Sequence, residues 1–151
     1  MRRRINLLSP NSTFCLTLIA LLLASGSLGC KTYTTNVQKT QARADEASVV
    51  SALRTVNLAQ QAHALTNGGN YAGFVQLAEN GYLDSRFASD APEVHGYVMT
   101  MAVGDKTFSC NADPTLSGDL KGRHFYVDST SSLIRVNTTQ PASAKDEVVK
   151  F

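Results

Sequence analysis

The segment Asp45–Thr66 constrains the fold most, because it has the pattern of one long amphipathic helix. It contains no Gly or Pro, begins with two acidic residues where the helix dipole favours them, and ends before Asn67-Gly68-Gly69. At about 100° per residue, Val49, Leu53 and Val56 fall on one face. We predict that this face packs against a second layer of structure.

A second, shorter helical pattern follows within residues 67–94. Four residues recur at helical spacing before Asn80-Gly81, namely Tyr71, Phe74, Leu77 and Ala78. Leu58 and Leu65 lie nearly opposite the apolar face of the first helix. We therefore expect the first helix to be covered on two sides, with the short helix over Leu58.

The apolar period changes from helical to alternating at residue 95. Four segments have the character of strands: Tyr97–Val103, Lys106–Ala112, Arg123–Asp128 and Leu133–Val136. Short turns separate the first pair and the second pair, which predicts two hairpins. The sequence thus predicts an α+β fold of two layers, a long helix packed on a four-stranded antiparallel sheet over residues 95–137. Residues 138–151 have no period and are predicted to be a disordered tail.

The N-terminus has the pattern of an export signal. Three arginines precede the apolar run Phe14–Ala24, and small residues follow it up to Gly29. The run has eleven residues, whereas a helix that crosses a membrane needs about 20. We therefore interpret residues 1–29 as a signal segment and rank a transmembrane anchor below export.

Cys30, directly after the signal segment, permits two kinds of processing. Ser27 and Gly29 suit ordinary signal peptidase, which would leave a soluble protein. Gly29-Cys30 also resembles the end of a bacterial lipobox, in which the cysteine receives a diacylglycerol, although the aliphatic residue of that motif is displaced here to Leu28. We favour lipidation of Cys30, with residues 30–44 as a polar tether.

Charge and cysteine content exclude several classes of protein. The chain has 14 basic and 12 acidic residues, and without the three arginines of the signal segment it has one more acidic than basic residue. This balance gives no electrostatic reason to expect nucleic-acid binding. Three cysteines, Cys15, Cys30 and Cys110, have neither metal-ligand spacing nor the number needed for a disulfide framework.

No catalytic motif can be identified among the histidines and the remaining cysteine. His63, His95 and His124 fall in three different predicted elements. We interpret His63 as a core histidine with one hydrogen bond and Cys110 as a buried structural thiol. The sequence therefore predicts no enzyme activity, no catalytic residue and no cofactor.

The acidic residues of the second half do not favour a metal site. Asp119 and Asp128 are the candidates for calcium, but they lack the acidic clustering that calcium requires. Asp113 precedes Pro114 and is interpreted as a turn residue. We therefore expect no metal.

Taken in order, five segments between residues 46 and 137 resemble the head domain of type IV pilins. The segments are EASVVSALRTVNLAQQA (Glu46–Ala62), NYAGFVQLAENGYLDS (Asn70–Ser85), HGYVMTM (His95–Met101), NADP (Asn111–Pro114) and GRHFYVDSTSSLIRVN (Gly122–Asn137). The resemblance covers residues 45–140. More specifically, the chain is similar to pilin-like proteins that are related to type II secretion pseudopilins and are common in Acidobacteria. It implies a long N-terminal helix whose C-terminal half packs on an antiparallel sheet.

The resemblance extends to a degenerate prepilin signal. Residues 15–22 are similar to the run that follows the cleavage glycine of prepilins, but that glycine falls on Cys15 and the family's glutamate falls on Ala20. Cleavage would leave Leu16 as the first residue. In assembled pili, this glutamate is thought to pair with the N-terminal amine of a neighbouring subunit, and Ala20 cannot form that charge-assisted contact. The resemblance therefore implies that the head domain is retained and that the helix needed for polymerisation is lost.

These observations predict a non-enzymatic, exported, pilin-like protein of the cell envelope, tethered to a membrane through Cys30. Its partners would be pilus or secretion-system proteins, contacted through the loop Asn67–Pro92 and an edge of the sheet. One alternative is a genuine minor pilin or pseudopilin with a degenerate stem. The second alternative is a soluble periplasmic binding domain.

Overall fold

The computed structural model describes residues 29–115 and 122–150. Its first element is a helix of 38 residues, α1, Gly29–Thr66. The sequence predicts a polar tether over residues 30–44, but the structure is helical there; no Gly or Pro interrupts the chain between Cys30 and Thr66. The chain divides into two compact units, Met1–Gln38 and Lys39–Phe151, and the hydrophobic core lies in the second.

Two glycines end α1 in a left-handed turn. The backbone N–H of Gly69 donates to Ala64 O at 2.8 Å, and φ is +63° at Gly68 and +83° at Gly69. Glycine adopts these angles without the steric penalty that a Cβ brings. The predicted end of the helix at Thr66 is therefore confirmed.

The segment between α1 and the sheet contains two short helical elements. Helix α2 spans Phe74–Glu79, and a 3₁₀ turn spans Ser85–Phe87. Phe74, Leu77 and Phe87 are buried in the core. These aromatic and aliphatic side chains fix the segment to the rest of the domain.

The sheet is an antiparallel meander in which each strand pairs with the next one along the chain. Its strands are β1 (Glu93–Val94), β2 (Tyr97–Gly104), β3 (Thr107–Pro114), β4 (His124–Asp128), β5 (Ser131–Asn137) and β6 (Glu147–Val148). The α+β class, with one long helix and an antiparallel sheet, is confirmed. The sheet has six strands where the sequence predicts four, because strands of two residues are added at both edges.

The C-terminal residues differ from the prediction of a disordered tail over residues 138–151. Within residues 138–150, a turn leads to β6, which pairs with β5. The Asp146 carboxylate accepts hydrogen bonds from the backbone and hydroxyl of Ser143 and from the side chain of Asn137. Polar contacts of this kind leave no periodic apolar signal in the sequence.

The core lies between α1 and one face of the sheet. Val49, Leu53 and Val56 are each fully buried, as expected for the predicted apolar face. They share one cluster with the strand residues Tyr97, Met99, Phe108, Cys110, Ala112, Phe125, Val127 and Ile134. Because side chains alternate along a strand, the residues between these positions lie on the opposite, outer face of the sheet.

The expectation that α1 is covered on two sides is wrong within the part of the chain that the structure describes. Leu58 is 64% exposed and Leu65 is 87% exposed. Helix α2 instead contributes Phe74 and Leu77 to the common core. The small size of the domain explains the difference, since one apolar core already occupies the inward face of the helix.

Candidate functional site

The residues predicted to anchor the chain lie at its N-terminus. Cys15, Leu16 and Ala20 are outside the described residues, and Cys30 lies in the first turn of α1. Among the helices of residues 29–115 and 122–150, none combines the length and apolar character needed to cross a membrane. The lipidation site and the degenerate cleavage site therefore remain predictions.

The loop Asn67–Pro92, which we name the contact loop, is attached to the domain by hydrogen bonds at its start. Lys106, at the turn between β2 and β3, donates from Nζ to Gly68 O at 2.5 Å and to Asn70 Oδ1 at 2.9 Å. The buried Gln60 amide donates to Ala72 O at 2.6 Å and accepts from Ala72 N at 3.1 Å. These bonds hold the loop against both the helix and the β2–β3 hairpin.

The outward side of the contact loop is polar. The side chains of Gln76 and Glu79 are exposed, and Asp84 accepts hydrogen bonds from Arg86 Nε at 3.0 Å and from Nη2 at 2.8 Å. The Arg86 side chain lowers the pKa of Asp84, chiefly through these hydrogen bonds. An ordered polar surface of this kind suits contact with another hydrated protein surface better than burial of an apolar ligand.

The β2 edge of the sheet is only partly covered. Strand β1 pairs with Tyr97 and Val98, and Met99 N donates to Pro92 O at 2.9 Å. In an antiparallel strand, alternate residues direct their backbone groups to the same edge, so those of Met101 and Val103 also point outward. Neither residue pairs with a described residue on that side.

The structure brings together a carboxylate and an imidazole whose pairing the sequence analysis missed. Asp113 does not form a turn but lies in β3, next to His124 of β4 on the outer face of the sheet. The Asp113 carboxylate lies 2.5 Å from His124 Nδ1. The pairing of Ala112 with Phe125 in the sheet register makes the two residues neighbours. Eleven positions separate them in the sequence, so no local motif could reveal the pair.

In the Asp113–His124 pair, the carboxylate orients the imidazole ring, but the second ring nitrogen is not accessible to a substrate. The carboxylate fixes the ring through Nδ1, as in many catalytic and metal-binding histidines. However, His124 Nε2 is buried and has no hydrogen-bond partner among the described residues. A general base or a metal ligand needs that atom to be accessible, so the pair is best interpreted as structural.

Hydrogen bonds organise the rest of the outer face. Asn111 Nδ2 donates to Ala142 O at 2.7 Å, which fixes the C-terminal segment to the sheet. Asp128 accepts from the backbone and hydroxyl of Thr130 and from the backbone of Ser131. Burial raises the pKa of Asp128, but these bonds and one from Tyr126 outweigh that effect and leave the pKa below its ordinary value.

An ion pair links α1 to the start of β4. Glu46 Oε2 accepts from Arg123 Nε at 3.1 Å and Nη2 at 2.8 Å, and Glu46 Oε1 accepts from Arg123 N at 3.0 Å. The adjacent Tyr97 hydroxyl is buried without a partner among the described residues. Burial, and secondarily the charge of Glu46, raises the pKa of Tyr97. Tyr97 therefore remains a neutral phenol and is not an activated nucleophile.

Two further residues considered in the sequence, His63 and Cys110, are buried, whereas His95 is exposed. His63 is 3% exposed, and its Nδ1 makes one hydrogen bond, with Asn70 O at 3.0 Å, which confirms its interpretation as a core histidine. Cys110 is fully buried, and burial raises the pKa of its thiol. A thiol in this environment is not an activated nucleophile.

The described residues contain no group of three or more His, Cys, Asp or Glu side chains that could hold a metal ion. Of the two calcium candidates, Asp128 uses one carboxylate oxygen for the turn at Thr130 and Ser131. Asp119 lies outside the described residues.

Comparison with known proteins gives no relative: no protein-family model, curated protein or solved structure matches the chain.

Proposed function

We propose that this chain is an exported, non-enzymatic, pilin-like protein of the cell envelope that is tethered to a membrane by a lipid on Cys30. It acts through protein–protein contacts made by the contact loop and the β2 edge of the sheet. A component of a type IV pilus or type II secretion apparatus is the partner that the sequence resemblance favours.

The observation that carries the proposal is the order of the elements. A helix of 38 residues precedes an anchored loop and an antiparallel meander. Among the side chains that the structure describes, those of the helix that join the core lie in its C-terminal half, from Val49 onward. This is the order implied by the resemblance to pilin heads. The sealed Nε2 of His124 and the buried thiol of Cys110 support a role without catalysis.

Mass spectrometry of the mature N-terminus separates the proposal from both alternatives. The lipoprotein has a diacylated Cys30 as its first residue. A minor pilin or pseudopilin with a degenerate stem begins with a methylated Leu16. A soluble periplasmic binding domain begins with an unmodified residue after a signal-peptidase cut, and that result would exclude the tether.

Cell fractionation tests the anchor directly. The Cys30→Ser variant should move from the membrane to the soluble periplasmic fraction, because the acyl chains are its only proposed attachment. Cys15→Ser is the matched control and should stay with the membrane. One acyl chain binds a membrane only marginally, so stable retention requires at least two. A Cys30→Ser protein that remains in the membrane fraction would contradict the lipid anchor.

Assembly in a host with a working pilus machine separates the proposal from its closest alternative. Ser25, Gly26 and Lys31 interrupt the apolar segment that a filament core requires, and Ala20 replaces the organising glutamate. The protein should be absent from sheared filaments, and its Cys15–Leu16 bond should stay intact. Recovery in filaments with Leu16 at the N-terminus would instead establish the minor-pilin alternative.

Site-specific photo-crosslinking tests the contact loop. A photoreactive residue at Gln76, which is exposed in the loop, should give a crosslinked adduct only in cells that contain the pilus or secretion apparatus. The same residue at Lys145, outside the loop, is the control and should give none. Equal adducts at both positions would contradict a specific contact through the loop.

A further inference from the structure

The C-terminal segment is bonded to two strands of the sheet that are not neighbours. Ala142 O accepts from Asn111 Nδ2 of β3 at 2.7 Å. Further along the chain, Asp146 accepts through its backbone oxygen from Arg135 Nη1 and through its carboxylate from Asn137 Nδ2, each at 2.8 Å. Arg135 and Asn137 belong to β5.

The strand between these two attachments is β4, because the sheet order is β3-β4-β5. The three donors, Asn111, Arg135 and Asn137, alternate with core residues along their strands and therefore face outward. A segment that is bonded to β3 and to β5 on this face has to cross β4, over two strand spacings or about 10 Å. We name residues 138–146, which make this crossing, the strap.

Two outward side chains of β4 lie at the level of the crossing. In the sheet register, Tyr126 pairs with Asn111 and His124 pairs with Asn137. His124 is only 6% exposed although it lies on the outer face, and Ala142 of the strap is 4% exposed. A side chain on the outer face of a sheet is buried when another segment covers it. Among the described residues, the segment that crosses there is the strap.

We propose that the strap is a removable cover over the imidazole of His124. Asp113 orients the ring by accepting from Nδ1 at 2.5 Å, and in the neutral ring this leaves Nε2 as a hydrogen-bond acceptor. Nε2 is buried without a partner among the described residues. The closed strap therefore keeps water from this atom at a cost in free energy. Opening of the strap hydrates Nε2 and presents an imidazole that Asp113 already holds in place.

The attachments of the strap are mostly polar. Asp146 accepts from the backbone and the hydroxyl of Ser143 at 2.7 and 2.8 Å, and Asn137 Oδ1 accepts from the backbone of Gln140 at 3.2 Å. Ala142 is the buried apolar residue of the strap. Segments with few buried apolar contacts and exposed hydrogen bonds open at a lower free energy than the core. The strap can therefore open while the sheet stays folded.

Modification of the full chain by diethyl pyrocarbonate, mapped to each histidine by mass spectrometry, tests the cover. The chain contains its own references, because His95 is exposed and His63 is 3% exposed in the core. His124 should react more slowly than His95 but faster than His63, since only the strap has to open. A rate equal to that of His95 would contradict the cover. A rate equal to that of His63 would show that His124 is reached only by unfolding of the domain, and would overturn the proposal.

Asp146→Ala should favour the open strap, because it removes the carboxylate that binds the strap to β5. The ratio of the His124 rate to the His63 rate should rise on the order of tenfold, the effect of about one net hydrogen bond. Asp105→Ala removes an exposed carboxylate at the β2–β3 turn. This variant is the matched control and should leave the ratio unchanged.

Asn111→Ala releases the strap at its other attachment and should raise the same ratio. The ratio separates opening of the strap from loss of the fold, because general unfolding raises the rates of His63 and His124 together. A ratio that stays at the wild-type value in both strap variants would overturn the proposal. These measurements involve neither the N-terminus nor the contact loop, so their outcome is independent of the proposed function.

Discussion

The two faces of the sheet are stabilised by different interactions, although the same strands supply both. The face toward α1 is apolar, with Phe125, Val127 and Met99 buried against the helix. The outer face is polar and is organised by hydrogen bonds such as Asp113–His124 and Asn111–Ala142. Burial of apolar area depends weakly on geometry, whereas a hydrogen-bonded pair requires the correct register. We therefore expect mutations on the face toward α1 to lower stability strongly. Mutations on the outer face should lower it less, and the effect of one should depend on whether its hydrogen-bond partner is present.

The largest effect should come from the helix side of the core. Leu53→Ala should lower the free energy of unfolding by about 2–5 kcal/mol, because it removes a fully buried side chain and leaves a cavity. Leu58→Ala, the same change on the exposed side of α1, is the matched control and should cost less than about 1 kcal/mol. Urea unfolding measures both, and equal costs would show that the assigned helix faces are wrong.

On the outer face, Asp113→Ala should cost about 1–3 kcal/mol, because it leaves both ring nitrogens of the buried His124 without a partner. Asp90→Ala, which removes an exposed acidic side chain, should change stability little. If the pair acts as a unit, Asp113→Ala should cost less in a His124→Phe background. Additive costs would show that the two residues are not coupled.

The ion pair between the layers should have an intermediate effect. Glu46→Gln should cost about 1 kcal/mol, since Arg123 is partly exposed and the attraction is screened by solvent. The cost should decrease in high salt. Asp84→Asn, which removes the partner of Arg86 at the surface, should have no measurable effect. A salt-independent loss for Glu46→Gln would assign the effect to hydrogen bonding alone.

The smallest effect concerns the acid stability of the outer face. The pKa of Asp128 is lower in the folded chain than its ordinary value of 3.8, so its carboxylate stabilises the fold above that pH. This stabilisation is lost as the pH falls through the folded pKa. Stability should therefore fall less steeply between about pH 4 and pH 2 in Asp128→Asn than in the wild type. Parallel curves from acid titration of unfolding would contradict this role.

Apolar periodicity was sufficient to predict the helix side of the domain. The positions of Val49, Leu53 and Val56 and the four longer strands follow from periods of 3.6 and 2 in the sequence. The same reasoning failed for Leu58 and Leu65, because periodicity identifies an apolar side chain but not whether another layer is present to cover it. Exposed leucines are ordinary on a small domain, which has too little interior to bury every one.

The polar side of the domain could not be predicted from the sequence. Asp113 and His124 become neighbours only through the register of β3 and β4. The edge strands β1 and β6 have two residues each, which is too short for an alternating pattern. The anchoring of β6 depends on Asp146, whose hydrogen bonds join residues that show no common period. These features depend on distances between strands, which a single sequence does not contain.

The simple strand order of the sheet has a consequence for how the domain folds. Every strand pairs with the strand made immediately before it, so no pairing spans a long crossover. Such local pairings carry a low loop-closure cost and favour rapid folding. A chain that emerges N-terminus first, from a ribosome or across a membrane, can add strands one hairpin at a time. Each new strand then covers the edge left by the one before it, beginning with β1, from which β2 is separated by two residues.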